Sequence, residues 1–270
     1  MTDTGSELVE NLLARPDVHE QWEGHYRTAE NERFYEAAFD YIARVLQAPP
    51  GATFLDVGCG PCAHSLRLAR RGFNVRAVDF SESALEMARA NLRATGMEER
   101  IKLQRESLLG LSFPDESFDH VLCWGVLMHI PEVGRAVKEL ARVVKPGGAL
   151  VVSEGNTDSW EAVALRAVKK LAGRERAEVK RTAAGTEYWK AAEEGALVTR
   201  QADVGWLVRS FEAEGLRLER RAAGQFSEAY AMVGSPALKR LVHGFNDLWF
   251  RHVRFARPAY GQILFFRKAK

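Results

Sequence analysis

Apolar positions recur along this 270-residue chain with two different periods. Between residues 17 and 47, Trp22, Tyr26, Phe34, Ala38, Tyr41, Ile42 and Val45 return at three- and four-residue steps, the pattern of an amphipathic helix. Pro49-Pro50-Gly51 ends it, since proline lacks the donor that would continue the ladder. From there short apolar runs alternate with helical segments. Thr53–Val57 predicts a strand, Ala63–Arg71 a helix, Asn74–Asp79 a strand, and Ser81–Thr95 a helix capped by Ser81. Ile101–Arg105 and Phe118–Trp124 predict strands, Glu132–Val144 a helix closed by Lys145-Pro146-Gly147-Gly148, and Ala149–Ser153 a strand. Strands alternating with helices imply a parallel sheet covered on both faces. Val121-Leu122-Cys123 and Ala149–Val152 are continuously apolar, as burial on both faces requires.

After Glu154 the rhythm breaks. A stretch rich in Lys, Arg, Ala and Glu separates the first five strands from a helix at Asp203–Glu214 and a strand at Leu216–Arg221. An aromatic helical stretch, Pro236–Arg254, then precedes a last strand at Gly261–Arg267. Long segments inside a compact α/β domain usually carry function. The chain therefore reads as one domain: a helical cap at 1–50, a core at 51–154, insertions at 155–202 and 229–258, and segments 203–228 and 259–270 completing the sheet. The insertions are expected to form a helical lid or substrate wall, or else a scaffold extension or dimer surface. No internal repeat is present.

Composition narrows the class. Net charge is +2, from 38 basic and 36 acidic residues, which gives no field of the kind that gathers nucleic acid or membrane. No apolar stretch approaches the 18 residues of a membrane span, and Met1–Glu10 has no basic, apolar leader pattern. Three cysteines are no disulfide framework, so a reducing cytoplasm is the expected compartment.

The candidate chemistry lies between the first two strands. Leu55-Asp56-Val57-Gly58-Cys59-Gly60-Pro61-Cys62-Ala63 joins strand to helix, and its glycines allow a sharp turn and close approach to a ligand. The helix that follows aims its N–H groups and positive dipole end at the loop. Asp79 ends the next strand, where a carboxylate can accept both hydroxyls of a ribose. Three chemistries fit these residues. Gly58-x-Gly60-x-x-Ala63 satisfies a relaxed dinucleotide fingerprint, but no Tyr-x-x-x-Lys pair follows. Cys59-Gly60-Pro61-Cys62 is a Cys-x-x-Cys at a helix start, as in thiol redox sites, but the chain is far longer than such a domain needs. The third is methyl transfer.

Several motifs in order favour the third: Phe54–Gly60, Ala77-Val78-Asp79-Phe80-Ser81, Phe113–Asp119, Val126-Leu127-Met128-His129-Ile130 and Leu140–Gly148. Over about residues 50–155 the chain resembles the class I S-adenosylmethionine (SAM)-dependent methyltransferases. The nearest group includes ubiquinone and menaquinone biosynthesis enzymes and natural-product tailoring enzymes. The resemblance implies a Rossmann-like, doubly wound α/β fold with a seven-stranded sheet, mostly parallel with an antiparallel last strand. It also implies SAM as cofactor, with S-adenosylhomocysteine as product. By it Asp56, Gly58 and Gly60 should line the methionine part, Asp79 should hold the ribose and Phe80 should lie against the adenine. Ser107, with Glu106 beside it, falls where an acid often meets the adenine amino group, and Leu108 should flank the ring. Trp124 and Gly125 should border the methyl group, unless Trp124 only packs. Tyr26 of the cap helix, near Trp22 and Arg27, is the expected capping residue. One departure is Cys62, where the family has a third loop glycine.

Methyl transfer from a sulfonium asks the protein to place a nucleophile, exclude water and remove a proton. His129, after the fourth strand, is the candidate base, against the alternative that it fastens the turn before Pro131. No acidic or His cluster marks a metal site. No Asn-Pro-Pro-Tyr-type tetrapeptide follows the fourth strand, which argues against methylation of DNA or protein amides. Arg166, Lys169, Lys170, Arg174, Arg176, Lys180 and Arg181 read as a solvated lid helix, or as a clamp for an anion or RNA. Phe226, Tyr230, Phe245, Trp249, Phe250 and Phe255 can line an aromatic pocket or pack the insertion. The expected function is methylation of a small molecule at oxygen, nitrogen or carbon. A quinone- or lipid-type acceptor, and a non-catalytic SAM-binding partner, stand as alternatives. A homodimer through the C-terminal insertions is the expected assembly.

Overall fold

A computed structural model describes residues 4–171, 178–192, 195–253 and 255–270, without the side chains of Tyr26, Lys169 and Lys170, among others. The strands β1 (Thr53–Val57), β2 (Asn74–Asp79), β3 (Ile101–Arg105), β4 (Phe118–Trp124) and β5 (Val144–Gly155) lie parallel, each joined to its neighbour. Two later strands complete the sheet, β9 (Leu216–Ala223) and β10 (Gly261–Lys268). The order is β3-β2-β1-β4-β5-β10-β9, with β10 antiparallel to both its neighbours. This is the predicted seven-stranded, doubly wound sheet. The order reverses between β1 and β4, and the carboxyl ends of strands at such a switch point form the crevice that binds ligands in open α/β sheets.

Side chains alternate across the sheet. Ala149 and Val151 pack on one face with Phe39, Ile42 and Leu66, while Leu150 and Val152 pack on the other with Leu140, Phe211 and Phe266. The first face is covered by α3 (Ala29–Leu46), α4 (Ala63–Arg70) and α5 (Glu82–Thr95), the second by α6 (Val133–Val143) and α8 (Val204–Ala213). Ser81 caps α5 as predicted, accepting the Ala84 N–H at 3.3 Å, and Gly96 ends it in the left-handed conformation.

Two expectations are corrected. The helical stretch 17–47 is two helices, α2 (Pro16–Tyr26) and α3, divided where Thr28 caps α3 by accepting the Asn31 N–H at 3.2 Å. A further helix, α1 (Thr4–Leu13), precedes them. The insertion at 155–202 is not a helical lid. It begins with α7 (Trp160–Leu171) and continues as a three-stranded antiparallel sheet, β6 (Glu178–Thr182), β7 (Gly185–Ala192) and β8 (Gly195–Ala202). Of the basic residues read as one lid helix, Arg166 lies on α7 and Lys180 and Arg181 lie on β6, whereas Arg174 and Arg176 fall outside the described residues. The second insertion is helical, with α9 (Pro236–Leu248) running into a π-helical turn at Trp249–Val253.

The inserted sheet lies close over the switch point. α1 packs on β8, where Val9 and Leu13 meet Val198. Gly195 permits this contact, because a Cβ there would collide with the Leu8 carbonyl oxygen and come within 3.1 Å of Leu12 Cβ. The cap and the insertion thus form one cover.

Candidate active site

Sharp backbone geometry sets the loop after β1. Gly58 and Gly60 both have positive φ, at 66° and 51°. A Cβ on Gly58 would lie 2.5 Å from Val126 Cγ2, so this position presses the loop against the turn after β4. Cys62 adopts the left-handed region without being glycine, φ 69°, and its side chain is buried. Asp56 sits behind the loop rather than on the cavity wall; it accepts the Ser65 hydroxyl at 2.5 Å and so ties β1 to α4. Burial, opposed by that hydrogen bond and helped by the Asp79 charge, pushes its carboxyl up to about 7.

Asp79 is buried at the tip of β2, and both its oxygens are placed by backbone. Oδ2 accepts the Gly60 N–H and Oδ1 the Ser81 N–H, each at 2.9 Å. A carboxylate offers about four lone-pair directions, so each oxygen keeps capacity for a further donor. Burial raises its pKa, against the two N–H bonds and the nearby His19.

A cavity of about 120 Å³ joins this carboxylate to the predicted neighbours. Gly58, Asp79, Phe80, Ser107, Leu108 and His129 line it, as do Glu106 and Gly125. Glu106 is committed to Ser112, whose N–H and hydroxyl it accepts at 3.0 and 2.5 Å, and to Gln104 at 2.6 Å. Ser107 Oγ accepts the Leu109 N–H at 3.3 Å and retains its own donor. Gly60 reaches the site only through its N–H on Asp79. Trp124 turns away from the cavity into an aromatic cluster with Tyr35, Phe39 and His64, at ring distances of 6.1, 5.5 and 5.2 Å. The Tyr26 side chain lies outside the described residues.

The cap contributes Trp22 and His19 instead. Trp22 stacks on His129 at 5.0 Å and 19°, and His19 Nε2 meets Ser81 Oγ at 3.1 Å. Their i, i+3 spacing on α2 was the signal in the sequence, because it puts both rings on one helix face. His129 carries its Nδ1 proton to the Val198 carbonyl at 2.8 Å, which leaves Nε2 as the basic nitrogen. Burial holds its pKa below the ordinary value, with Arg200 adding to the effect and the Val198 bond opposing it.

The same geometry disposes of thiol redox chemistry. Cys59 and Cys62 are both buried, and the hydrogen bond to Cys62 together with burial drives the Cys59 thiol far above its usual range. A redox pair needs an accessible thiolate. The aromatic residues of the second insertion pack one another: Phe226 lies 5.1 Å from Phe245 and 4.6 Å from Trp249, and Phe250 lies 5.3 Å from Phe34. None of them lines the cavity at Asp79.

A doubly wound sheet with a glycine loop and a buried acid at its switch point defines an α/β protein of the nucleoside-cofactor-binding class. Comparison with known proteins adds a family: residues 55–152 match the family described as methyltransferase domain. The chain is 40% identical over 118 residues to a ubiquinone biosynthesis O-methyltransferase of Alkalilimnicola ehrlichii, covering 43% of this chain and 47% of that protein. It is 34% identical over 110 residues to methyltransferase GfsG of Streptomyces halstedii, covering 40% of each. The chain thus matches less than half the length of these relatives. Magnesium protoporphyrin IX methyltransferase of Synechocystis, solved with bound S-adenosylhomocysteine, shares the fold at TM-score 0.66 and 16% identity, over 97% of this chain and 100% of that one. The donor set suits SAM. Asp79 offers acceptors to a ribose, Phe80 and Leu108 offer flat apolar walls, and at Gly125 the space a Cβ would fill is open.

Proposed function

We propose that this protein transfers the methyl group of SAM to a small-molecule acceptor at oxygen, nitrogen or carbon, with a quinol or a natural product as the favoured acceptor class. The observation that carries this reading is the single cavity that brings Asp79, the glycine loop and His129 together. The name of the first relative, a ubiquinone biosynthesis O-methyltransferase, supports the quinol class.

SAM supplies a methyl group already activated by its sulfonium. Asp79 would hold the ribose with Gly60 fixing its carboxylate, Gly58 would let the backbone approach the methionine part, and Phe80, Leu108 and Ser107 would hold the adenine. Asp56 acts from behind, fixing the loop through Ser65. The cover of α1, α2 and β8 excludes water from the transfer. With SAM bound, its methyl group would pass to the acceptor lone pair as the carbon–sulfur pair is left on sulfur, and Nε2 of His129 would take the acceptor proton. A ring held below its ordinary pKa stands neutral near neutral pH, the state a base requires. We read residues 155–202 and 229–258 as the walls that select the acceptor. Three free, buried cysteines support a reducing cytoplasm. The exposed Leu241, Phe245 and Leu248 of α9 support a homodimer through the second insertion.

Calorimetry with SAM and NADH, followed by S-adenosylhomocysteine release with a hydroxylated quinol, tests the reading. Binding of SAM with product formation is expected. Binding of NADH without SAM would overturn it.

A further inference from the structure

Two residues of the inserted sheet grip the turn that carries His129. Arg200 on β8 is 2% exposed, and its guanidinium reaches three carbonyls of that turn and its exit. Nη1 donates to Leu127 O and Ile130 O, both at 2.8 Å, and Nη2 donates to Pro131 O at 3.3 Å. Glu187 on β7 holds the other side of the fork, accepting from Nε at 3.1 Å and from Nη2 at 2.7 Å. Glu187 is itself oriented by the Trp189 indole N–H at 2.9 Å. From the core side, Glu154 of β5 accepts the Leu127 N–H at 2.8 Å. The same strand β8, two residues before Arg200, supplies the carbonyl of Val198 that takes the Nδ1 proton of His129.

A guanidinium fork on backbone carbonyls fixes a turn in orientation as well as position, since its donors are planar and rigidly spaced. We infer that Arg200 and Glu187 are a positioning pair for His129: they lock the turn in register with Val198, so that the ring is held as its Nδ1–H form with Nε2 free. This rests on the reading of His129 as proton acceptor and adds its control. The inserted sheet, rather than a strand of the main sheet, sets the tautomer and basicity of the base. Such an outer partner is how proteins select which imidazole nitrogen is reactive.

Charged and titratable groups approach the ring from several elements. Arg200 and Glu187 face it from the inserted sheet, and Glu154 approaches from β5. Glu10 of α1, His19 of α2, Asp79 and Glu106 share its cavity. Arg200 places a positive charge near the imidazole and Glu187 offsets that charge, so removing them one at a time should act in opposite senses.

The test is nitrogen-15 histidine NMR of the whole chain, with the His129 signal assigned by its loss in His129→Gln. Wild type should show a single Nδ1–H tautomer. In Arg200→Gln the signal should move toward a tautomer mixture and its titration midpoint should rise by about half to one pH unit. In Glu187→Gln the midpoint should fall by a similar amount, because Arg200 is then unopposed. If Arg200→Gln fails to fold, the doubly neutral Arg200→Gln/Glu187→Gln chain replaces it, and the tautomer mixture decides. An unchanged tautomer and midpoint in the variants that fold, or midpoints that move in the same direction, would overturn the proposal. The activity of His129→Gln tests the base separately. Full turnover there, with the NMR outcome as expected, would remove the base reading and leave the positioning intact.

Discussion

The indole of Trp22 lies face to face with the imidazole of His129, so the cap helix α2 touches the candidate base directly. A stacked aromatic pair is worth about 0.5–1.5 kcal/mol beyond its area burial. Trp22→Ala should leave the fold intact, since the residue is only half-buried, and should weaken S-adenosylhomocysteine binding about tenfold, or about 1.4 kcal/mol. Calorimetry beside a thermal melt checks this, and Trp22→Phe should recover most of the affinity.

Asp79→Ala should weaken SAM binding by about 1–3 kcal/mol, the scale of a lost charge-assisted hydrogen bond. It also frees the Gly60 and Ser81 N–H groups, so the loop itself should loosen. Unchanged affinity in a titration would take Asp79 out of the site.

Glu154 gives a pH dependence with a definite sign. Burial pushes its carboxyl up to about 8 from an ordinary 4.5, against the N–H bonds of the turn. The folded state therefore binds a proton that the unfolded state has released. That stabilisation is complete below the unfolded value and is lost as pH rises through about 8. Within that window the slope is about 1.4 kcal/mol per pH unit for one group. Glu154→Gln, which copies the protonated form, should gain stability relative to wild type between about pH 6 and 9. Denaturant melts at both pH values measure it, and a constant difference would contradict the assignment.

Gly195→Ala should detach the cap. Its Cβ would strike backbone of α1, which cannot yield as a flexible side chain would, and overpacking of this kind costs about 1–3 kcal/mol. Limited proteolysis should cut the variant near α1 well before wild type, with the melting of the core little changed.

The core was legible in the sequence because its signals are local. β1, β2, β3 and β4 end where predicted: Val121-Leu122-Cys123 of β4 is an unbroken apolar run, and Gly58, Ser81 and Gly125 mark the exits of β1, β2 and β4. The inserted sheet was not legible. β6 is Glu-Val-Lys-Arg-Thr and exposed throughout, so its strand character comes from pairing with β7 rather than from burial. The site divides in the same way. Gly58 and Asp79 were marked by the strand–loop–acid pattern and Phe80, Ser107 and Leu108 were expected from the family resemblance; all five line one cavity. Arg200 and Glu187 come from paired strands of the insertion, and nothing local distinguishes them among 38 basic and 36 acidic residues. Trp124 sits at a strand end as expected, but the alternation of side chains along β4 sends it to the α3 face.

The seating of α1 on β8 also bears on how the molecule assembles. The two partners stand roughly 190 residues apart, and contacts of such separation wait on the closure of a long loop. During synthesis α1 is made well before β8 and waits for it. Until β8 follows, Val9 and Leu13 lack Val198, the buried partner that completes their cluster. The nascent chain therefore carries an apolar segment that stays partly uncovered until β8 has been made.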